Sequence, residues 1–147
     1  TIRVEKQDDV FRADDFWATE HVSTTFNSPV SIDGMLIGLS DKKKLYALDE
    51  ATGELLWTHD KRFDTFGTIV FSGTTIFVLP SDGELSIGNV TPSGFEPLAE
   101  YALTDSKVFS YPVISGNMIY VQDQESLTAW GLPILQNNTS DSLNVFP

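Results

Sequence analysis

Three apolar segments that begin alike recur along this chain, and the spacing between them limits the folds open to it. They are Phe26-Asn27-Ser28-Pro29-Val30, Phe66-Gly67-Thr68-Ile69-Val70 and Phe109-Ser110-Tyr111-Pro112-Val113, with the phenylalanines 40 and 43 residues apart. Each is followed by a small turn ending in glycine, at Asp33-Gly34, Ser72-Gly73 or Ser115-Gly116, and then by an apolar strand opening at Met35, Thr75 or Met118. Two apolar runs joined by a glycine turn read as a β-hairpin. A polar turn follows each hairpin, and a leucine then opens a third strand at Leu45, Leu85 and Leu127, spaced by 40 and 42 residues. A period near 40 built of short strands, with no helical pattern, is the signature of the four-stranded blade of a β-propeller rather than of a sandwich.

The fourth strand is clearest in the first complete unit, where residues 46–57 run strand, tight turn, strand. Asp49 and Thr52 can hold that turn through side-chain oxygens, and Gly53 can take a positive φ without steric cost. Trp57 then has a ring free to pack between neighbouring blades. In the second unit Asn89, Gly94 and Leu98 stand where Asp49, Gly53 and Trp57 stood, and the third leaves the pattern after Trp130-Gly131-Leu132. Trp17 precedes Val30 by 13 residues, as Trp57 precedes Val70. Trp17 is therefore expected to close an earlier blade, so that the chain begins inside a repeat. The division that follows is 1–17 for the last strand or strands of an incomplete blade, 18–60 and 61–103 for two blades, 104–132 for a partial blade, and 133–147 for an extended C-terminal tail. The Asn-x-Thr/Ser triplets of that tail match glycosylation acceptors only if the protein is eukaryotic and secreted.

Composition serves mainly to exclude. A net charge of -12, from 21 acidic against 9 basic residues, repels phosphate backbones, so nucleic acid is not an expected partner. Cysteine is absent, which rules out disulfides and thiolate metal sites and is compatible with either redox compartment. No apolar run approaches the roughly 20 residues of a membrane-spanning helix, and Thr1-Ile2-Arg3-Val4 has neither the basic start nor the apolar stretch of a signal peptide. His21 and His59, the two imidazoles, follow Trp17 and Trp57 at similar distances and read as a repeat position. Two such residues do not make a metal site.

Residues Ala47-x-Asp49-x-x-Thr52-Gly53-x-x-x-Trp57 match at every defined position the signature of pyrroloquinoline-quinone-like repeats. The Ser-Pro-Val, Asp-Gly and Leu-Tyr elements before them also resemble that family, so the resemblance covers about residues 17–132. It looks most like the C-terminal blades of propellers similar to the bacterial outer-membrane assembly factors. The fold so implied is all-β, about three and a half blades of four antiparallel strands from a ring typically of eight. An open arc exposes blade faces at its ends, which implies self-association or docking with the remaining blades.

Two functions are compatible with such a ring. One is a non-catalytic module that holds a protein or peptide partner, in a periplasmic or other extracytoplasmic place, as the resemblance implies, with no cofactor and no catalytic residue in this chain. The alternative is a fragment of a quinone-dependent dehydrogenase whose catalytic blades are missing. Relatives of that kind use a catalytic aspartate, a calcium site and often a vicinal disulfide. The disulfide is impossible here, no calcium loop is visible, and Asp49 is accounted for by the repeat signature. The expected functional surface is the mouth of the central channel, where loops enter the innermost strands. Phe26, Asn27, Phe66, Thr68, Phe109 and Tyr111 occupy those positions as candidate partner-binding residues. The plainer reading of the three phenylalanines, blade packing set by the repeat, is the favoured one.

Overall fold

The computed structural model describes residues 2–64 and 66–132; the expected C-terminal tail, 133–147, lies outside the described residues. Among the described residues all the regular structure is β. Strands β1 (Ile2–Gln7) and β2 (Val10–Asp15) form a hairpin, and three further antiparallel sheets follow in chain order. The first holds β3 (Val30–Ile32), β4 (Met35–Leu39), β5 (Lys44–Asp49) and β6 (Leu55–Arg62). The second holds β7 (Gly67–Ser72), β8 (Thr75–Pro80), β9 (Glu84–Thr91) and β10 (Gly94–Ala102). The third holds β11 (Val113–Ser115), β12 (Met118–Gln122) and β13 (Leu127–Gly131). Each sheet is an up-and-down meander with strands paired in chain order, the topology of a propeller blade.

The second sheet shows why its strands read as unbroken apolar runs. Successive side chains of a strand point to opposite faces. On β8, Ile76 and Val78 join a buried cluster with Ile37, Leu39, Leu45 and Ala47 of the first sheet. Phe77 and Leu79 join another with Val108, Ile119 and Val121. Covered on both sides, the strand has no solvent face on which polar residues would alternate. The outermost strand of the first sheet, β6, does alternate between exposed and half-buried positions. β10 also lies at an edge, so Pro97 is tolerated at its bulge, where no ladder hydrogen bond is lost.

Three details depart from the sequence expectation. The Asp33-Gly34 loop has positive φ at both residues, the pattern of a type I′ turn, because Ile32 pairs with Met35. In the next two hairpins Ser72 pairs with Thr75 and Ser115 with Met118, so Gly73 and Gly116 open the two-residue loop instead of ending it. Positive φ at Gly alone is the type II′ arrangement. Opposite Ile87, the place that Trp57 takes opposite Ala47, stands Ala99 and not Leu98, because the connection between β9 and β10 is longer and β10 bulges. Finally, Trp17 lies beyond the end of β2, in irregular chain, whereas its counterpart Trp57 lies within β6.

Candidate functional site

The recurring phenylalanines all enter the first strand of a sheet, and each segment is tied to the end of the second strand of the same sheet. Asn27 donates through Nδ2 to the carbonyl of Leu39 at 3.3 Å, the amide of Ser81 donates to the carbonyl of Phe66 at 2.8 Å, and Ser110 Oγ donates to the carbonyl of Gln122 at 2.8 Å. In the first and third sheets the segment donates to the last residue of the second strand, whereas in the second sheet the residue just past that strand donates to the segment. Antiparallel pairing places the start of a first strand beside the end of the second, so the three phenylalanines fall at one end of their sheets.

There they meet. The rings of Phe26 and Phe66 lie 4.6 Å apart between centroids, tilted by 32°, and those of Phe66 and Phe109 lie 6.0 Å apart, edge to face at 86°. Both geometries are favourable for aromatic pairs, which contribute about 0.5–1.5 kcal/mol each beyond area burial. The row is nonetheless open to solvent: Phe26 is 65%, Phe66 37% and Phe109 60% exposed. Tyr111, 55% exposed, lies beyond the ring contacts of the row. Asn27 and Thr68 face other tasks. The side-chain oxygen of Asn27 accepts from the amide of Gly67 at 3.2 Å, so this one amide joins its own sheet to the next. Thr68 is half-buried, and its Oγ1 has no hydrogen-bond partner among the described residues.

Charged groups cross the same end of the sheets. Asp64 accepts from Ser81 Oγ at 2.7 Å and from Lys107 Nζ at 3.0 Å, with Lys43 Nζ at 3.5 Å, so groups before, within and after the second sheet share one carboxylate. At the next interface Thr104 Oγ1 donates to Asp123 Oδ2 at 2.6 Å. Phe63 and Leu103 make the same backbone bond to the turn of their sheets, which makes Asp64 and Thr104 equivalent. The hydrogen bond recurs with donor and acceptor exchanged. Asp123 also caps its own turn, accepting from the amides of Glu125 and Ser126, and the Thr104 hydroxyl followed by these amides lowers its pKa to about 2.

The signature residues have structural places. Asp49 Oδ1 accepts from the amides of Ala51 and Thr52 and from the Thr52 hydroxyl, and the Thr52 bonds hold its carboxyl below the usual carboxylate range. Ala47 is fully buried. Trp57 Nε1 donates to the carbonyl of Thr91 in the second sheet, and Trp17 Nε1 to that of Glu50 in the first, both at 3.0 Å. The Trp17 indole lies on Gly53, whose φ is +75° and where a Cβ would overlap the ring. A tryptophan from one unit therefore closes over the turn of the next. His59 packs edge-on against Phe95 at 5.2 Å, and among the described residues no cluster of three or more His, Asp or Glu could hold a metal ion.

Sequence reasoning placed the phenylalanines together at the expected mouth of the channel, with blade packing as the favoured reading. It missed the Lys43–Asp64–Lys107 bridge beside them, and no motif marks it, because its members come from three different connections. It also left unremarked a cavity of about 480 Å³ against the first sheet, lined by Lys42, Lys44 and Arg62 among others.

Sheets of this topology, stacked face to face around two buried clusters, define the chain as a set of β-propeller blades. The family model described as outer membrane protein assembly factor BamB matches residues 11–92, and the chain belongs to that family. Among solved structures it is similar to BamB from Moraxella catarrhalis, at TM-score 0.57 and 22% identity over 74% of this chain and 33% of that one. It is similar also to the quinohemoprotein alcohol dehydrogenase ADHIIG from Pseudomonas putida HK5, at TM-score 0.58 and 15% identity, over 71% of this chain and 18% of that one. The computationally designed Ika4 protein matches at TM-score 0.55 and 11% identity, over 82% of this chain and 99% of that one. The chain thus spans a third of the BamB structure and less than a fifth of the dehydrogenase. No curated protein sequence matches the chain.

Proposed function

We propose that this chain is a non-catalytic part of a propeller that holds a protein or peptide partner against the aromatic row of Phe26, Phe66 and Phe109. The observation that carries the reading is the meeting of three exposed rings from three consecutive units, separated by 40 and 43 residues in sequence. Exposed aromatics flanked by charge are the kind of anchor on which interfaces concentrate their binding energy. Tyr111 extends the surface on one side, and Lys107 supplies a hydrogen-bonding cation beside Phe109 in a shallow cavity of about 270 Å³. Asn27 joins the first two sheets beside the row.

Membership of a family described as an outer membrane protein assembly factor favours this reading and a periplasmic or other extracytoplasmic place. No helix among the described residues is long and apolar enough to cross a membrane. Among the described residues the third sheet has three strands and leaves Val113, Tyr120 and Trp130 exposed, which favours association with further blades, from a second copy or from the rest of a larger ring. The similar dehydrogenase shares the fold, and the quinone-enzyme reading is the one against which the test is set.

Selection of peptides on the whole chain, followed by fluorescence anisotropy, tests the proposal. Phe66→Ala, which removes the ring shared by both aromatic contacts, is expected to weaken a selected peptide about tenfold or more while far-UV circular dichroism stays unchanged. Peptides that bind Phe66→Ala and Phe26→Ala as well as the wild type overturn it. So does alcohol oxidation by the chain supplied with pyrroloquinoline quinone and calcium.

A further inference from the structure

The run Lys42-Lys43-Lys44 holds a third of the nine basic residues of a chain whose net charge is -12. Lys43 is committed to Asp64. The other two line the 480 Å³ cavity together with Arg62 and His21, between the irregular segment at 20–23, the turn after β4 and the end of β6. Lys44 and Arg62 are direct register partners across β5 and β6. Like charges placed opposite each other on neighbouring strands destabilise a sheet. Lys44 is relieved only by Asp60, at 3.7 Å and fully exposed, and among the described residues Arg62 and Lys42 have no ion pair. The acidic groups on the cavity wall, Glu20 and Asp41, do not pair with these cations. The cavity gathers three cations against two carboxylates on its wall, with two of the cations opposite each other in strand register.

We propose that this cavity is an oxyanion site, which takes one phosphate or carboxylate group between Lys42, Lys44 and Arg62. The guanidinium presents paired donors to such a group and the lysines act as point charges. Glu20 and Asp41 restrict the site to a compact anion, since a polyanion would meet them at the wall. The site involves none of the phenylalanines of the aromatic row and stands independently of the partner proposed there.

Titration of the whole chain with inorganic phosphate, and separately with succinate, at ionic strength held constant with chloride, tests it by calorimetry and by thermal melts. At least one of the two is expected to bind and raise the melting temperature, and the stronger one identifies the source of the group. Arg62→Gln, on an exposed position of an edge strand, is expected to weaken binding about tenfold, the effect of losing one charge-assisted contact. Lys42→Gln provides a second variant in a solvent-facing turn and is expected to weaken binding in the same direction. Lys6→Gln removes the same charge from a residue outside the cavity lining and is expected to leave binding unchanged. The proposal is overturned if neither anion binds at millimolar concentration, or if Lys6→Gln weakens binding as much as Arg62→Gln.

Discussion

The two interfaces between consecutive sheets bury similar apolar clusters, yet they are fastened differently. Between the first and second sheets, Trp57 leaves β6 and hydrogen-bonds the carbonyl of Thr91, while Asp64 accepts from Ser81. Between the second and third, Ala99 stands at the position of Trp57, and Thr104 donates to Asp123. The comparison teaches that the repeat conserves the burial and the place of each tie, but not the chemistry of the tie. Hydrophobic burial is non-directional and tolerates such change. A hydrogen bond requires only that one partner donate and the other accept, so the pair can exchange roles between interfaces.

The largest expected effect tests whether the indole makes the first interface the stronger one. Trp57→Ala removes both the packed ring and the bond to Thr91 and is expected to cost about 3 kcal/mol in urea denaturation, near the lower end for an aromatic deletion because the ring is half-buried. Leu98→Ala, at an exposed position of β10, is expected to change stability by less than about 0.5 kcal/mol. Equal losses would show that Leu98 does the work of a tryptophan after all.

A smaller effect is expected at the turn that receives Trp17. Gly53→Ala places a Cβ against the indole at a φ of +75° and is expected to cost about 1–2 kcal/mol for the backbone, with the overlap adding to that figure. At Gly116, also at positive φ but with nothing within 4 Å of a Cβ, alanine is expected to cost only the backbone share. If the two substitutions cost the same, Trp17 does not press on the turn as the structure has it.

The smallest effect is on acid stability and concerns the second interface. Asp123 has a folded pKa of about 2, below its ordinary value of 3.8, chiefly through the Thr104 hydroxyl. A lowered folded pKa contributes stability that is present above the unfolded value and is lost as pH falls from there through the folded one. Asp123→Asn, neutral throughout, is therefore expected to flatten the decline in stability between pH 3.8 and 2. An unchanged acid limb in melts of the variant would place the pH dependence elsewhere, with Asp49 the next group to examine because its pKa is shifted in the same direction.

The architecture was largely legible because a blade is a local object. Its hairpins, glycine turns and apolar runs lie within about 40 residues, and the strand period of two is written in the residues themselves. The aromatic row was legible only in part: the spacing marks Phe26, Phe66 and Phe109 as equivalent, but three equivalent residues can equally face three separate interiors. Nothing in the spacing marks that Asn27 bonds both Leu39 and the amide of Gly67, or that Thr68 is half-buried. The cation-lined cavity was not legible, since a lysine run reads as a solvated turn until strand register sets Arg62 opposite Lys44.

By itself, then, the sequence determined the all-β class, the repeating unit, the turn held by Asp49 and the packing of Trp57 against a neighbouring unit, because each depends on neighbours close in the chain or on a repeated environment. Tertiary structure alone decided which rings touch, which aspartate receives which donor and which like charges stand opposite each other in register. Those outcomes depend on the angle and offset between sheets, and that geometry comes from the fit of two buried clusters rather than from any short stretch of residues.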